Sequence, residues 1–201
     1  IIDVSEVKEL IGIKDIGEYV QIGASTTIEE IRNSDLMRTL FQSVHDAAET
    51  FATWQVRNMA TIGGNIATSS PASSLAPPLL TYDAEVELMS PRGIRRVPLA
   101  SFFVGPKRNI LSNYEIITYI YVKKIENSTS AYEEIGKRFG NIIPIVSAAA
   151  MLVLERERTS FIIKDSRIAL GSVAPTPIRA TSAEKALIGL VVDKDIIENK
   201  E

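Results

Sequence analysis

Apolar and polar residues alternate along several short segments of the chain. Alternation with a period of two is typical of a strand that buries one face, and it predicts strands at 19–24, 84–89, 94–98 and 115–123. Between the first two strands, apolar residues recur at helical spacing over 36–50, which predicts a helix there. Thr27 and Glu30 have the spacing of a capping box, so another helix is predicted to begin at these residues.

The second half of the chain is dominated by alternating segments, with strands predicted at 132–138, 148–155 and 161–171. A hairpin connection is expected at 156–160, and Ser182 is a candidate N-cap for a closing helix. The short polar segment 126–130 lacks large apolar side chains and marks the best domain boundary. The pattern therefore predicts an α+β fold with a larger region at 1–125 and a smaller one at 130–201.

The composition is that of a globular chain with a mild negative charge. Apolar residues make up 45% of the 201 residues and charged residues 23%, which is enough to build a core. The formal net charge of −3 argues against a nucleic-acid partner, because such proteins present a basic face. The chain contains no cysteine and therefore offers no thiolate to an iron–sulfur cluster.

Metal chemistry and membrane insertion have little support in the sequence. His45 is the single histidine, which argues against a histidine-based zinc site, and we expect it on a helix surface without a catalytic role. No apolar run reaches the roughly 20 residues that span a bilayer. Since no secretory signal is visible either, we expect a cytoplasmic protein without a membrane span.

The segment 60–74 carries the strongest chemical signal. Its fifteen residues have no charge and include a Gly-Gly pair, an asparagine and several hydroxyl side chains. Glycine allows another group to approach the backbone closely, and exposed N–H groups beside hydroxyls suit a phosphate-bearing ligand. A solvated linker has a similar composition, but the apolar run 75–80 follows at once and ties this segment to a core.

The flanking residues give the segment a family resemblance. Residues 55–65, Gln-Val-Arg-Asn-Met-Ala-Thr-Ile-Gly-Gly-Asn, resemble the second FAD-binding motif of the molybdenum hydroxylases. Three further segments resemble the same family in the same order, namely 79–86, 97–105 and 170–180. The whole chain is thus similar to the flavoprotein (medium) subunit of this family, which includes carbon monoxide dehydrogenase and xanthine dehydrogenase.

This resemblance implies a fold and further segments of chain before and after the given sequence. It implies an FAD-binding domain of the PCMH (vanillyl-alcohol-oxidase) type, followed by a small domain with a three-stranded antiparallel sheet and helices. Family members begin with another subdomain whose Ala-Gly-Gly-Thr-like loop supplies half of the pyrophosphate site. Nothing in this chain matches that loop, so we expect a missing N-terminal subdomain before Ile1 and further helices after Glu201.

The resemblance also implies which residues contact FAD. They are Phe51, Ala60, Thr61, Ile62, Gly63, Gly64, Asn65, Ser70, Ser74 and Ile117. Phe51 is equally well explained as a core residue, and helix capping is a competing role for Ser70. Relatives commonly carry Asp at the position of Ser74, where it holds the adenosine part of FAD. Some relatives carry Lys near the flavin where this chain has Glu133.

The function implied by the resemblance is electron transfer through FAD. A large partner subunit holds molybdopterin, and a small one holds two [2Fe–2S] clusters that pass electrons to the FAD of this chain. NAD, oxygen or another molecule then accepts them. We assign no catalytic or metal-binding residue here. Two alternatives are a stand-alone flavin oxidoreductase of the same fold and a non-catalytic assembly subunit that has lost its flavin.

Overall fold

The computed structural model describes residues 3–138, 142–157 and 160–192. Part of the predicted connection at 156–160 and the end of the region 130–201 lie outside the described residues. The helices are α1 (Ile28–Arg32), α2 (Asp35–Leu40), α3 (Gln42–Thr50), α4 (Trp54–Arg57), α5 (Ile62–Thr68), α6 (Ala76–Thr81), α7 (Leu99–Phe102) and α8 (Thr181–Leu187). The strands are β1 (Ile13–Asp15), β2 (Tyr19–Gly23), β3 (Glu85–Ser90), β4 (Gly93–Pro98), β5 (Phe103–Gly105), β6 (Arg108–Asn109), β7 (Ile116–Lys123), β8 (Ser128–Ile135), β9 (Val146–Glu157), β10 (Ser160–Gly171), β11 (Ile178–Arg179) and β12 (Val191–Val192).

The first sheet has the strand order β1-β2-β7-β3-β4, with every neighbouring pair antiparallel. Alternate residues such as Val20, Ile22, Ile120 and Val86 are fully buried in the core. The period-two pattern that predicted these strands is therefore confirmed, since one face of the sheet is covered. The capping box is also confirmed, because Thr27 and Glu30 make both of its hydrogen bonds at the start of α1.

The single helix predicted over 36–50 is wrong. The structure has two helices, α2 and α3, and the chain bends between them at Phe41, whose φ is −138° and ψ 58°. The ring of Phe41 is fully buried and meets the ring of Tyr82 edge-on, with centroids 5.0 Å apart. Helical spacing continues across the bend, so the apolar pattern alone gives no sign of it. His45 of α3 is only 8% exposed, which corrects the expected surface position.

The second sheet has the order β11-β10-β9-β8, and β12 pairs with the free part of β10. Its three long strands overlap the three predicted ones, but β8 begins at Ser128 and ends at Ile135, whereas the strand was predicted over 132–138. Two strands of two residues each extend the sheet further. The closing helix α8 begins at Thr181 rather than after Ser182. Its position is fixed by Glu184, whose carboxylate accepts hydrogen bonds from Arg179 and from the N–H of Ile168.

Asp83 joins the second sheet to the helix that precedes the first hairpin. Its two carboxylate oxygens lie 2.6 Å from Nη1 of Arg167 and 2.8 Å from Nη1 of Arg179. The same two guanidinium groups donate to the backbone carbonyls of Thr81 and Leu80 at the end of α6. Two cations at a helix C-terminus are favourable for the helix dipole, so this cluster holds β10 and β11 against α6.

Arg95 and Glu115 form a two-bond ion pair beside the β3–β4 turn. Nε and Nη2 of Arg95 lie 2.7 and 2.9 Å from the two carboxylate oxygens, and the N–H of Ser112 donates to one of them. The hydrogen bonds from Arg95 and then from Ser112 hold the pKa of Glu115 at about 2, below its ordinary 4.5. The ionised carboxylate is therefore more stable in the folded protein than in the unfolded chain.

We expect this pair to make stability depend on pH in a defined window. A pKa lowered by folding contributes fully above the unfolded value of 4.5, and the contribution is lost as the pH falls toward about 2. The wild type should exceed Glu115→Gln in free energy of unfolding at neutral pH, and the difference should shrink across this window. Urea unfolding of both proteins at several pH values measures it, and a difference that stays constant would contradict the assignment.

Candidate functional site

The Gly-Gly segment opens a helix that the sequence pattern did not predict. Thr61 is the N-cap of α5, and its Oγ1 accepts a hydrogen bond from the N–H of Gly64 at 3.1 Å. Ile62, Gly63 and Ile66 are buried, whereas Gly64 and Thr68 are exposed and Thr61 and Asn65 are half-buried. The helix therefore turns an uncharged face of hydroxyl, glycine and amide groups outward.

The backbone N–H groups of this segment are already used within the protein. Those of Ile62 and Gly63 donate to the carbonyls of Thr26 and Ala24, at 3.0 and 2.9 Å, and that of Asn65 donates to Thr61. The expectation that consecutive N–H groups point toward a phosphate therefore does not hold for the first turn of α5. A ligand at this face meets side chains and the exposed Cα of Gly64 instead.

The two adjacent glycines have different roles. A Cβ added to Gly63 would lie 2.7 Å from both Cβ and the carbonyl oxygen of Ala24, so Gly63 lets α5 pack against the end of β2. A Cβ added to Gly64 would meet only Oγ1 of Thr61, at 3.0 Å, and would otherwise project into open space. Gly63 is thus required by packing, while Gly64 leaves the outer face of α5 open to a close-approaching group.

Asn65 and Thr61 provide the polar groups of this face. The Oδ1 of Asn65 accepts a hydrogen bond from Oγ of Ser73 at 2.6 Å, which fixes the amide orientation. Within the described residues, Nδ2 of Asn65 donates to no partner and stays available, as does the hydroxyl proton of Thr61. Ser70 instead accepts a local bond from the N–H of Ala72, a turn role that competes with cofactor binding.

Ser74 is buried and faces the second sheet. It is 7% exposed, and its Oγ lies 3.2 Å from Oε2 of Glu134. The same Oε2 accepts a hydrogen bond from the hydroxyl of Tyr132 at 2.7 Å. Burial, and next the hydrogen bond to Glu134, raise the pKa of Tyr132, so its hydroxyl remains a donor. Ser74 thus contacts a carboxylate from β8 directly, a pairing across 60 residues that the sequence did not reveal.

A cavity of about 610 Å³ lies between the end of α3 and the end of β8. Its walls include Ala52, Glu134, Lys137 and Ile142. Ala52 has a φ of +44°, a left-handed conformation that costs energy in a residue other than glycine and that is concentrated at functional sites. Pockets of this size at the junction of two regions are typical ligand sites. Glu133, the residue expected near the flavin, is exposed, and its neighbour Glu134 lines the cavity.

The remaining candidate residues lie close to these features. Phe51 precedes Ala52 and is half-buried against the core, and Ala60 accepts a hydrogen bond from the N–H of Ile28. Ile117 is 8% exposed in the core, on strand β7 against which α5 packs. Thr61, Gly64 and Asn65 thus form the outer face of α5, whereas Ile62 and Gly63 are buried. Phe51 precedes Ala52, and Ser74 is hydrogen-bonded to Glu134, so both adjoin residues that line the α3–β8 cavity.

One interaction that supports the site was missed in the sequence. Nε of Arg57 lies 2.6 Å from Oε2 of Glu29, and both side chains are almost fully buried, at 13% and 11% exposure. Nη1 of Arg57 also donates to the carbonyl of Phe51 at 3.0 Å. The hydrogen bond from Arg57 is the main reason that the pKa of Glu29 lies below its ordinary value. The pair fixes the connection 51–57 to α1.

Comparison with known families decides the classification. Residues 1–123 match the family described as the FAD binding domain in molybdopterin dehydrogenase. Residues 130–200 match the family described as the CO dehydrogenase flavoprotein C-terminal domain. The chain belongs to the FAD-binding domain family of the molybdopterin dehydrogenases. The resemblance drawn from the four sequence segments is confirmed.

Individual members of the FAD-binding domain family agree with this result. The chain is 31% identical to the glyceraldehyde dehydrogenase medium chain of Sulfolobus acidocaldarius over 99% of its own length and 69% of the relative. It is 30% identical to the carbon monoxide dehydrogenase medium chain of Hydrogenophaga pseudoflava, covering 98% of this chain and 68% of the relative. The chain therefore spans about two thirds of the length of these relatives.

A solved structure reproduces the fold. Carbon monoxide dehydrogenase from Hydrogenophaga pseudoflava, in a form lacking the Mo-pyranopterin moiety of the molybdenum cofactor, matches with a TM-score of 0.84 and 32% identity. The match covers 94% of this chain and 64% of that one. The mixed α/β fold, with an FAD-binding region followed by a flavoprotein C-terminal region, is thereby confirmed.

The residues of the site fit the cofactor of the FAD-binding domain family. The outer face of α5 is free of acidic groups that would repel a diphosphate, and Gly64 leaves room for close approach. Thr61 and Asn65 supply neutral donors on the same face. None of the helices in the described part of the chain is long and apolar enough to cross a membrane.

Proposed function

We propose that the chain is the FAD-carrying electron-transfer subunit of a molybdopterin-dependent hydroxylase or dehydrogenase. The observation that carries this proposal is the outer face of α5, where Thr61 and Asn65 offer free donors and Gly64 offers open space, without any charge. Such a face suits a diphosphate, because neutral hydrogen-bond donors stabilise the anion and glycine permits contact with the backbone. Membership in an FAD-binding family supports the same conclusion.

Each part of the site has a definite task in this proposal. Bound FAD supplies the two-electron redox chemistry, while the protein binds and orients it and sets its electrostatic surroundings. The hydroxyl of Thr61 and the amide of Asn65 hold the diphosphate side, and Ser73 keeps that amide in place. Phe51 and Ile117 provide apolar contact toward the ring. The backbone beneath the cofactor is formed by Ala60, Ile62 and Gly63. The adjoining turn is supported by Ser70 and Ser74.

We propose that the partners resemble those of the family. A large subunit with molybdopterin and a small subunit with [2Fe–2S] clusters would deliver electrons, and NAD is one candidate acceptor. The lack of cysteine is consistent with clusters on another chain. The relatives named above are medium chains of glyceraldehyde dehydrogenase and carbon monoxide dehydrogenase, which supports an assembly of this type.

Flavin content tests the proposal directly. The full-length protein should show flavin absorbance or take up added FAD, measured by quenching of FAD fluorescence. Asn65→Leu should weaken FAD binding about tenfold, because one hydrogen bond to an anion is worth about 1.5 kcal/mol or more. Asn113→Leu, at an exposed position before β7, is the matched control and should leave binding unchanged.

Two outcomes would favour the alternatives. A folded full-length protein that neither contains nor binds FAD would support an assembly subunit without flavin. Flavin binding without co-purification of a molybdenum-containing subunit would support a stand-alone oxidoreductase. Metal analysis of the protein purified at native expression level separates these cases.

A further inference from the structure

Strand β4 forms a free edge of the first sheet. Within the described residues β3 is its one strand neighbour, and every residue of β4 is exposed except the half-buried Val97. An edge strand directs part of its backbone N–H and C=O groups away from the sheet. The strand at the opposite edge, β1, has only three residues against the six of β4. The sheet therefore offers its longer open edge at β4.

The two arginines of β4 are bound to carboxylates of their own region. Charged side chains on an edge strand usually prevent another chain from pairing with it. Arg95 is held by both carboxylate oxygens of Glu115, and Nε of Arg96 lies 3.3 Å from Oε2 of Glu87. The guanidinium carbon of Arg96 also lies 3.5 Å from the centroid of the Tyr121 ring. Both charges are thus compensated within the protein, so they do not block the edge.

An exposed apolar row crosses the outer face of the first sheet and ends at β4. Ile94 of β4 pairs with Met89 of β3, which in turn pairs with Ile116 of β7. Paired residues of neighbouring strands lie on the same face, and these three are 59%, 38% and 46% exposed. Tyr114, which is 78% exposed, lies two residues before Ile116. A strand added beside β4 would place a side chain next to Ile94 and lengthen the row.

A cavity of about 430 Å³ at the β3–β4 turn gives this surface a charge preference. Its charged lining residues are Arg92 and the ion pair Arg95–Glu115, and the others include Ile94 and Tyr114. Both oxygens of the Glu115 carboxylate are already bound to Arg95. Among the described residues, the guanidinium of Arg92 has no hydrogen-bond or ion-pair partner. The uncompensated charge of the cavity is therefore positive, which favours an acidic group on whatever docks there.

We propose that β4 is the docking edge for an extended segment of a partner subunit, one that carries apolar side chains and an acidic residue and pairs with β4 as an additional strand. The inference rests on the proposed function, because it requires a partner subunit, and it adds the surface that the partner uses. Main-chain hydrogen bonds along β4 supply affinity, and the apolar row selects apolar side chains at alternate positions of the segment. Arg92 fixes the direction of the segment by pairing with its acidic residue.

Ile94→Lys and Ile16→Lys form a matched pair of variants. The first places a charge in the apolar row at the edge of β4. The second makes the same change beside β1, at the opposite edge of the sheet, where Ile16 is 48% exposed. The dissociation constant of the purified complex should rise at least about tenfold in Ile94→Lys, because one isoleucine is no longer buried by the partner, and should stay unchanged in Ile16→Lys. Titration of the separated subunits, followed by biolayer interferometry, measures both.

Two further measurements do not depend on Ile94. Arg92→Glu should weaken the complex because the acidic segment then meets a like charge, and this loss should shrink at high salt. Hydrogen exchange followed by mass spectrometry should show that the backbone amides of 93–97 exchange more slowly in the complex than in the separated full-length protein, because the added strand accepts their hydrogen bonds.

The outcomes separate this inference from the proposed function. A complex that forms with unchanged affinity in both Ile94→Lys and Arg92→Glu would overturn the docking edge and leave the proposed function in place. Amides of β4 that are already protected in the separated full-length protein would overturn it too, since another part of the same chain then covers the edge. A dimer of the separated protein that Ile94→Lys dissociates would assign the edge to a second copy instead. A flavin-loaded protein that never associates with a molybdenum-containing subunit would contradict the proposed function itself.

Discussion

Replacing Gly63 by alanine is expected to lower the free energy of unfolding by about 2 to 3 kcal/mol, the usual cost of forcing extra atoms into a packed site. The added Cβ would lie 2.7 Å from two atoms of Ala24, one of them a backbone oxygen. Neither the helix nor the strand end moves freely there, because the N–H of Gly63 donates to that same oxygen at 2.9 Å. Urea unfolding followed by circular dichroism measures the change.

Gly64→Ala is the matched control, one residue further along α5. Its Cβ meets only Oγ1 of Thr61, at 3.0 Å, so a shift of a few tenths of an ångström relieves the contact. Alanine is favoured over glycine within a helix by about 1 kcal/mol. Stability should therefore be kept or raised. FAD affinity should fall at least about tenfold, corresponding to roughly 1.4 kcal/mol, because the methyl group occupies the open face. Equal losses of stability in both variants would refute the separate roles of the two glycines.

Removal of Arg57 is expected to cost about 1 to 3 kcal/mol, since it leaves the carboxylate of Glu29 with only its bonds from Arg32 and Asn33. Arg57→Met keeps most of the side-chain volume and removes the charge together with the bond to the carbonyl of Phe51. Arg57→Lys keeps the charge but cannot form both contacts with one planar group, so its stability should be intermediate. Chemical unfolding of both variants measures the effect.

The double variant Glu29→Gln with Arg57→Met supplies the control. If the buried pair causes the loss, the double variant should be more stable than the sum of the single losses predicts. Strictly additive losses would show that Arg57 stabilises the protein through packing alone. The same variants should also bind FAD more weakly, since Arg57 anchors the segment that includes Phe51.

Local patterns account for most of the elements but not for their breaks. The strands of the first sheet follow from alternation because one face of each packs on the helices, as at Val20 and Ile22. The bend at Phe41 depends on the distant ring of Tyr82, which no local period reports. The helix α5 was missed because two glycines lower helix propensity, and the Thr61 N-cap and the burial of Ile62 and Ile66 stabilise it.

In the candidate site too, contiguous motifs were predicted from the sequence, whereas contacts between distant residues were not. The motif Thr61 to Asn65 is contiguous in sequence and was therefore visible from the chain alone. The pair Ser74–Glu134 and the pair Glu29–Arg57 join residues that are 60 and 28 positions apart, so they depend on the tertiary fold. Glu133 is exposed while its neighbour Glu134 lines the cavity, because strand register decides which of two neighbouring glutamates points inward.

The polar segment at 126–130 separates the two family matches in sequence, but residues on both sides of it belong to one hydrophobic core. Ser130 of β8 accepts hydrogen bonds from the hydroxyl of Tyr82 and the N–H of Ser43, at 2.7 and 2.9 Å. Tyr132 and Met151 belong to the same buried cluster as the helices. The two regions are consequently not interchangeable modules. A chimera that joins the first region of one relative to the second region of another must also exchange the facing residues of α3 and α6.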